Sequence, residues 1–507
     1  SYEFQIDMKI EDEILKAELG GNGDVQLKNI VRTIQKEQNA IIRNTKDRIM
    51  VIQGSAGSGK TSIALHRIAY LLYHDRKNLK SSDVLILSPN SVFSDYISHI
   101  LPELGEENIQ EMSFDLFAYR ELRDTIRDCH DRYDEIELEL QGITQEQKKR
   151  LEEKQSETFV SQTEGFLALL EDELMTFHDV EFRGLTLTEN ELIHLFYFKF
   201  QEIPLLSRMD AVMEYFIDEY ETLHDCTLSE EDLDTISRKF QKLYMTRDLY
   251  KIYNKFLEEN GYPTLPDVPQ EKRVLAYEDV YPLLYLKYRL CRVRDHKNIK
   301  HLVIDEMQDY SYLQYLILRQ MFNCRMTILG DRAQTMEEQT QDVLEFLPGI
   351  FGKDIRKIIL NKSYRNTVEI AEYANRTAGI RDMEIFQRHG KEVEEKVLDG
   401  KEAAAEEIRR NLNLGPQGYE TAALLTMSEE EALKVYEYLK KTGIQASYVD
   451  RNSSSFKKGL TVTTFYLAKG LEFDQVFVLA RRKKTPLLIQ AEYICATRAL
   501  HELYVYQ

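Results

Sequence analysis

Eight consecutive residues, Gly54-Ser55-Ala56-Gly57-Ser58-Gly59-Lys60-Thr61, have the types and spacing of a phosphate-holding loop, G-x-x-x-x-G-K-T. Glycines let the backbone curl until several N–H groups face one anion. A helix beginning at Lys60-Thr61-Ser62 would add its positive N-terminal end. In that chemistry Lys60 reaches the β- and γ-phosphates of a nucleotide, and the Thr61 hydroxyl holds Mg²⁺. Gly54, Ser55, Ala56, Gly57, Ser58, Gly59, Lys60, Thr61 and Ser62 are therefore the candidate nucleotide contacts, with ATP and Mg²⁺ as the implied ligands.

A second chemical pair is Asp305-Glu306, at the end of the apolar run His301-Leu302-Val303-Ile304. A carboxylate at a strand's C-terminal end can hold Mg²⁺ beside a phosphate loop. That role falls to Asp305, so Thr61 and Asp305 are the metal candidates. The adjacent Glu306 can orient or deprotonate an attacking water. Phosphoryl transfer also needs further cations at the γ-phosphate.

These groups need strands and helices to hold them. The apolar run Ile49–Ile52 precedes the loop and a helical pattern, Ser62–Tyr73, follows it. Asp83–Pro89, His301–Asp305 and Met326–Gly330 read as further buried strands, with a helix over Tyr312–Phe322. A helix over Ser91–Leu104 and a short strand over 108–113 complete this half. From about residue 342 a second α/β unit is predicted. Its strands are Lys357–Leu360, Ala422–Leu425, Leu460–Thr464, Gln475–Leu479 and Leu503–Tyr506, and its helices include Thr367–Asn375, Glu429–Lys440 and Ile489–Ala499. Between the halves, Phe114–Asn298 is poor in Gly and Pro and rich in Glu, Leu and Tyr, and reads as a helical insertion. Within it, 134–158 is almost wholly polar and reads as a projecting helix or helical hairpin. The predicted organisation is 1–33, an N-terminal helical segment; 34–113 and 299–341, one α/β domain interrupted by the insertion 114–298; and 342–507, a second.

Composition narrows the function classes. The formal net charge is −20, which argues against an avid, non-specific grip on a nucleic-acid backbone. The five cysteines (129, 226, 291, 324 and 495) form no C-x-x-C pair, so neither a zinc site nor a disulfide framework is predicted, in keeping with a reducing cytoplasm. The sequence has no run of about 18 apolar residues, and no membrane association is expected.

The motifs together resemble the UvrD-like branch of the superfamily 1 helicases. The residues that carry the likeness are the phosphate loop, Asp305-Glu306-Met307-Gln308-Asp309, and Gly330-Asp331-Arg332-Ala333-Gln334. They are followed by Leu360-Asn361-Lys362-Ser363-Tyr364-Arg365, Thr464–Phe473, and Tyr493-Ile494-Cys495-Ala496-Thr497-Arg498-Ala499. The resemblance implies two RecA-like P-loop NTPase domains in tandem. It implies an adenine-reading role for Gln38 and γ-phosphate sensing by Gln334. Tyr364 would stack on the base, Arg365 and Arg498 would serve as arginine fingers, and Glu472 would contact the nucleotide. The predicted catalytic set is thus Lys60, Asp305, Glu306, Gln334, Arg365 and Arg498.

Some positions depart from the DNA-translocating relatives. Gln334 is followed by Thr335-Met336-Glu337-Glu338-Gln339, without an aromatic residue to stack on bases. Tryptophan is absent, and Tyr466 stands where many relatives have histidine. Only about ninety residues separate Arg365 from Gly459, too few for a large second-domain insertion. In this the sequence is similar to the HelD group of that family, whose implied partner is core RNA polymerase and whose implied action is ATP-driven release of bound nucleic acid. A monomer is expected. The competing readings are a 3′–5′ helicase or translocase acting on single-stranded DNA, with single-stranded or duplex DNA as the partner, and a nucleotide-dependent clamp without strand movement.

Overall fold

The structure is a computed structural model. It describes residues 38–54, 57–89, 109–292, 296–331, 343–360, 362–363, 365–380, 384–385, 387–451, 453 and 458–507. The segment 1–33, the helix predicted over Ser91–Leu104, Ser55, Ala56, Gln334, Thr335–Gln339 and Tyr364 lie outside the described residues. The chain divides into two compact units. One comprises the residues up to Ser113, Ile299–Asp309 and Cys324–Gln507; the other comprises Phe114–Asn298 and Tyr310–Asn323.

The first unit is mixed α/β and contains two six-stranded parallel sheets. The first sheet is formed by β1 (Ile49–Gly54), β2 (Val84–Leu87), β3 (Gln110–Met112), β4 (His301–Ile304), β5 (Arg325–Gly330) and β6 (Ile355–Leu360), in the order β6-β1-β5-β4-β2-β3. β2 and β4 are buried along their whole length. Strands covered on both faces cannot alternate apolar with polar, which is why they read as continuous apolar runs. Helix α1 (Lys60–His74) follows the loop after β1 and buries Ile63, Ala64, Leu65, Ile68, Leu71 and Leu72. These pack with Met50, Ile52, Ile86, Val303 and Leu329 in one core.

The second sheet comprises β7 (Glu394–Lys396), β8 (Thr421–Thr426), β9 (Ser447–Tyr448), β10 (Gly459–Thr464), β11 (Phe473–Leu479) and β12 (Ala499–Tyr506), in the order β7-β12-β11-β8-β10-β9. Helices α2 (Val343–Phe351), α3 (Val368–Ala378), α4 (Gly400–Asn411), α5 (Glu429–Lys441) and α6 (Pro486–Ala496) also belong to this unit. Thr367, Ser428 and Thr485 cap α3, α5 and α6 by accepting backbone N–H bonds, each such cap stabilising by about 1 kcal/mol.

Two assignments from sequence change. The strand predicted over Lys357–Leu360, assigned to the second α/β unit, pairs in parallel with β1 and forms an edge of the first sheet. An apolar strand pattern records that a segment is paired, not which sheet it joins, so the boundary at 341/342 cuts through the first sheet's own chain. The helix expected within a βαβ unit, observed as Tyr312–Met321, belongs to the other compact unit.

That other unit is mainly helical. Its polar stretch forms two helices, Arg132–Gln141 and Gln145–Lys154, separated at Gly142. The second is anchored: Lys154 Nζ donates to Asp279 Oδ1 at 2.7 Å and Glu278 Oε1 at 3.0 Å. Arg150 Nε reaches Glu278 Oε1 at 2.7 Å, and the Tyr253 hydroxyl donates to Asp279 at 2.6 Å. Short strands also occur here, including the antiparallel pair Val180–Phe182 and Leu185–Leu187. Of the chain's charge, Phe114–Asn298 carries 40 acidic and 24 basic residues, a net −16. No helix among the described residues is long and apolar enough to cross a membrane.

Candidate active site

The C-terminal end of β1 sets the site. Gly54 is its last residue, and a Cβ there would collide with the Ser58 hydroxyl. Gly59, the residue before α1, has φ +81°, a left-handed backbone that favours glycine. The turn brings the Lys60 ammonium back onto the Gly54 carbonyl, 2.7 Å away. Lys60 Nζ is 4.0 Å from Asp331 Oδ2, at the end of β5. Burial lowers its proton affinity, while Asp331, Glu306 and Asp305 act in the opposite sense.

Gln38 lies beside this loop: a Cβ on Gly59 would be 3.3 Å from Gln38 Nε2. Its segment is tied down by Arg67 of α1. The buried Arg67 guanidinium donates to the carbonyls of Ile41 (2.9 Å) and Asn44 (2.5 Å) and to Thr327 Oγ1 (3.2 Å). The cost of burying that cation is visible in its proton affinity, pulled down to about 10 chiefly by desolvation. Thr327 Oγ1 is also 3.0 Å from His301 Nε2 at the start of β4.

The carboxylates follow β4. Asp305 N–H donates to Leu87 O at 2.9 Å, which extends the β2–β4 ladder by one residue and fixes the position of its side chain. Asp305 is buried, and desolvation followed by repulsion from Glu306 raises its proton affinity above the usual carboxylate range. Glu306 behaves oppositely. Desolvation raises its proton affinity, but Lys469, Lys60, Arg498 and a hydrogen bond from Gln308 together outweigh it and the net direction is down. Its backbone has φ +53°, uncommon for a residue with a side chain and a conformation that surrounding contacts must hold. Two such contacts are Gln308 Nε2, which donates to Glu306 Oε2 at 2.6 Å, and Asp309 N–H, which donates to Glu306 O at 2.9 Å.

The second sheet contributes cations. Asn366 Nδ2 donates to the carbonyls of Ala499 (2.7 Å) and Thr497 (3.4 Å), which sets Arg365 beside the α6–β12 turn. Arg365 forms an ion pair with Glu472. Arg498 is buried and donates to Ile494 O (3.1 Å), Leu471 O (3.2 Å) and Thr497 Oγ1 (3.0 Å). Burial lowers its proton affinity; Glu306 and Glu472 raise it and Arg365 lowers it further.

These groups line one cleft of about 310 Å³. Gly57–Ser62 form one wall, Asp305 and Glu306 lie within it, and Arg365, Glu472 and Arg498 face them. The sequence reading missed Leu65, Gly470 and Leu471 in the lining, and it missed Gln308 and Lys469 as partners of Glu306. Gln308 and Lys469 sit inside recognised motifs, but neither type signals contact with a carboxylate from spacing alone.

The donor set suits Mg²⁺. Thr61 and Asp305 both line the cleft, Mg²⁺ takes few protein oxygens beside phosphate and water, and a cation would satisfy a buried carboxylate that otherwise favours a proton. No cluster of three or more His, Cys, Asp or Glu suited to a metal occurs among the described residues, so a cage built wholly of protein ligands is not indicated there.

The family model for the UvrD/REP helicase N-terminal domain matches residues 34–336. The match covers more than half of the sequence, so the chain belongs to the UvrD/REP helicase family. It is accordingly an ATP-hydrolysing enzyme with helicase-like activity. Comparison with curated proteins returns no match. Among solved structures, the chain is similar to the C-terminal domain of a possible DNA helicase from a Lactobacillus (strain WCFS1), at 25% identity. That likeness covers 28% of this chain and 86% of the other, with a TM-score of 0.24.

Proposed function

We propose that the chain is a motor in which ATP closes two RecA-like domains around the cleft, and that its load is core RNA polymerase, from which it releases bound nucleic acid as in the HelD group. The observation that carries the motor reading is the division of the cleft lining. Lys60, Thr61, Asp305 and Glu306 come from the end of the first sheet, whereas Glu472 and Arg498 come from the second, with Arg365 beside them. A γ-phosphate would complete this set by drawing both sides onto one anion.

In this reading Lys60, Arg365 and Arg498 neutralise the transferring phosphoryl group. Arg365 leaves Glu472 for phosphate, an exchange of one anion for another that keeps its charge paired. Thr61 and Asp305 would hold Mg²⁺, which would supply further charge neutralisation at the phosphates. Glu306 stays ionised because three cations surround it. It therefore suits holding and orienting a water, accepting its proton as the bond to phosphorus forms. Gln38 reads adenine; Gln334 and Tyr364 keep the roles that the resemblance implies.

The charge distribution supports a basic partner. A net −16 on Phe114–Asn298 suits the basic lining of a nucleic-acid-holding protein better than it suits nucleic acid itself. The second reading, a translocase on single-stranded or duplex DNA, is favoured by the family match alone. Two measurements separate them. Co-purification with core RNA polymerase, with nucleic acid released on addition of ATP, supports the first. Strong ATPase stimulation by single-stranded DNA, lost at raised salt, without polymerase binding, supports the second.

A further inference from the structure

We infer that Lys469 is a positioning residue for hydrolysis, coupling the second sheet to the water-orienting carboxylate of the first. Lys469 lies in the turn after β10 and is almost wholly buried. Its ammonium is 2.6 Å from Asp309 Oδ2 and 3.6 Å from Glu306 Oε2. Both carboxylates follow β4, in the other sheet. A lysine is rarely buried this deeply unless paired, and here Asp309 and Glu306, both from the opposite sheet, lie within reach of its ammonium.

The contact continues beyond Glu306. Gln308 donates to Glu306 Oε2 at 2.6 Å, and its own Oε1 accepts the Asp331 N–H at 2.9 Å. Asp331 Oδ2 in turn is 4.0 Å from Lys60 Nζ. A continuous polar chain thus runs from Lys469 through Glu306 and Gln308 to Asp331 and the phosphate-loop lysine. Glu306 carries left-handed backbone, a conformation that surrounding contacts must hold, and Gln308 and Lys469 both bear on its Oε2. Lys469 moves with the second sheet. When that sheet shifts, the ammonium shifts with it, and the orientation of Glu306 follows. Asp309 is the anchor that keeps the ammonium within reach. Lys469 needs no contact with nucleotide for this; it acts through Glu306.

The inference rests on the cleft being the ATP site, and the experiment separates the two. Steady-state ATPase and fluorescent-nucleotide binding are measured on the full chain and on Lys60→Ala, Lys469→Met, Lys469→Arg and Asp309→Asn. Loss of turnover in Lys60→Ala establishes the site. Lys469→Met is then expected to lower kcat by roughly tenfold or more with nucleotide affinity within about threefold, the pattern of a misoriented reacting group. Lys469→Arg is expected to recover much of that loss. Asp309→Asn, which keeps a polar group in place should Lys469→Met not fold, is expected to lower kcat by about threefold or more at unchanged affinity. Turnover within twofold of wild type in either Lys469→Met or Asp309→Asn overturns the inference, as does an equal loss of affinity and turnover. Normal turnover in Lys60→Ala would instead overturn the assignment of the cleft.

Discussion

The two parallel sheets of the first unit share an architecture but not a chemistry. The first ends β1 in a glycine-rich turn and β4 in two carboxylates, so the glycine-rich backbone and both acidic groups of the cleft come from one edge. The second offers Arg498 from the α6–β12 turn and Lys469 and Glu472 from the turn after β10, with Arg365 tied to it through Asn366. One edge collects anions and a phosphate cradle; the other collects mostly cations that are already paired. Six parallel strands do not make a nucleotide site by themselves. The side chains at the strand ends decide what the edge can do, and a two-sided cleft lets each edge specialise.

Variants of the two edges test that contrast. The largest effects belong to the first. Lys60→Ala and Glu306→Gln should each lower ATP turnover by two orders of magnitude or more, roughly. Only Glu306→Gln should keep nucleotide affinity, and loss of binding in that variant would count against its role with water. On the second edge, Arg365→Ala should lower turnover by roughly a hundredfold. It should also leave thermal stability nearly unchanged, because Arg365 pairs with a partly exposed Glu472. Arg498→Ala should lose turnover similarly but also melt earlier, since three acceptors lose their donor. Equal melting temperatures for the two variants would remove that distinction.

Smaller effects come from what lies behind the first edge. Arg67→Ala leaves the Ile41 and Asn44 carbonyls without their donor and should destabilise the chain by about 2–4 kcal/mol in urea unfolding. If Gln38 contacts adenine as proposed, ATP affinity should fall as well, because Arg67 ties down the chain at Ile41 and Asn44 that directly follows Gln38. His301 gives the mildest test. Burial chiefly, with Arg67 and Arg325, lowers its pKa to about 3 from the ordinary 6.5. The unfolded chain therefore takes up the proton first, so this contribution to stability is present above about pH 6.5 and is lost as pH falls toward 3. In urea unfolding between pH 7 and 5, His301→Gln should lose stability less steeply than wild type; an unchanged slope would remove His301 as a contributor.

Much of the cleft lining was legible in sequence because its signals are local. A phosphate loop needs its glycines, lysine and threonine at fixed chain spacing, and its strand and helix adjoin it, so Gly54–Thr61 can be read directly. The buried parallel strands were legible for a similar reason, since burial on both faces leaves nearly continuous apolar runs in β2 and β4. Other features were not encoded locally. That β6 pairs with β1, over 300 residues earlier in the chain, follows from sheet assembly and not from any property of Ile355–Leu360. That Lys469 meets Asp309 and Glu306, at least 160 positions away in the chain, follows from which strand ends face one another. The sequence by itself determined the phosphate loop, the acidic strand end and the family; the tertiary structure decided which cations surround Glu306 and how each is already paired. The physical reason is one of range: turn and strand preferences act over a few residues, whereas pairing between buried charges is settled only when distant strand ends are brought within a few ångströms.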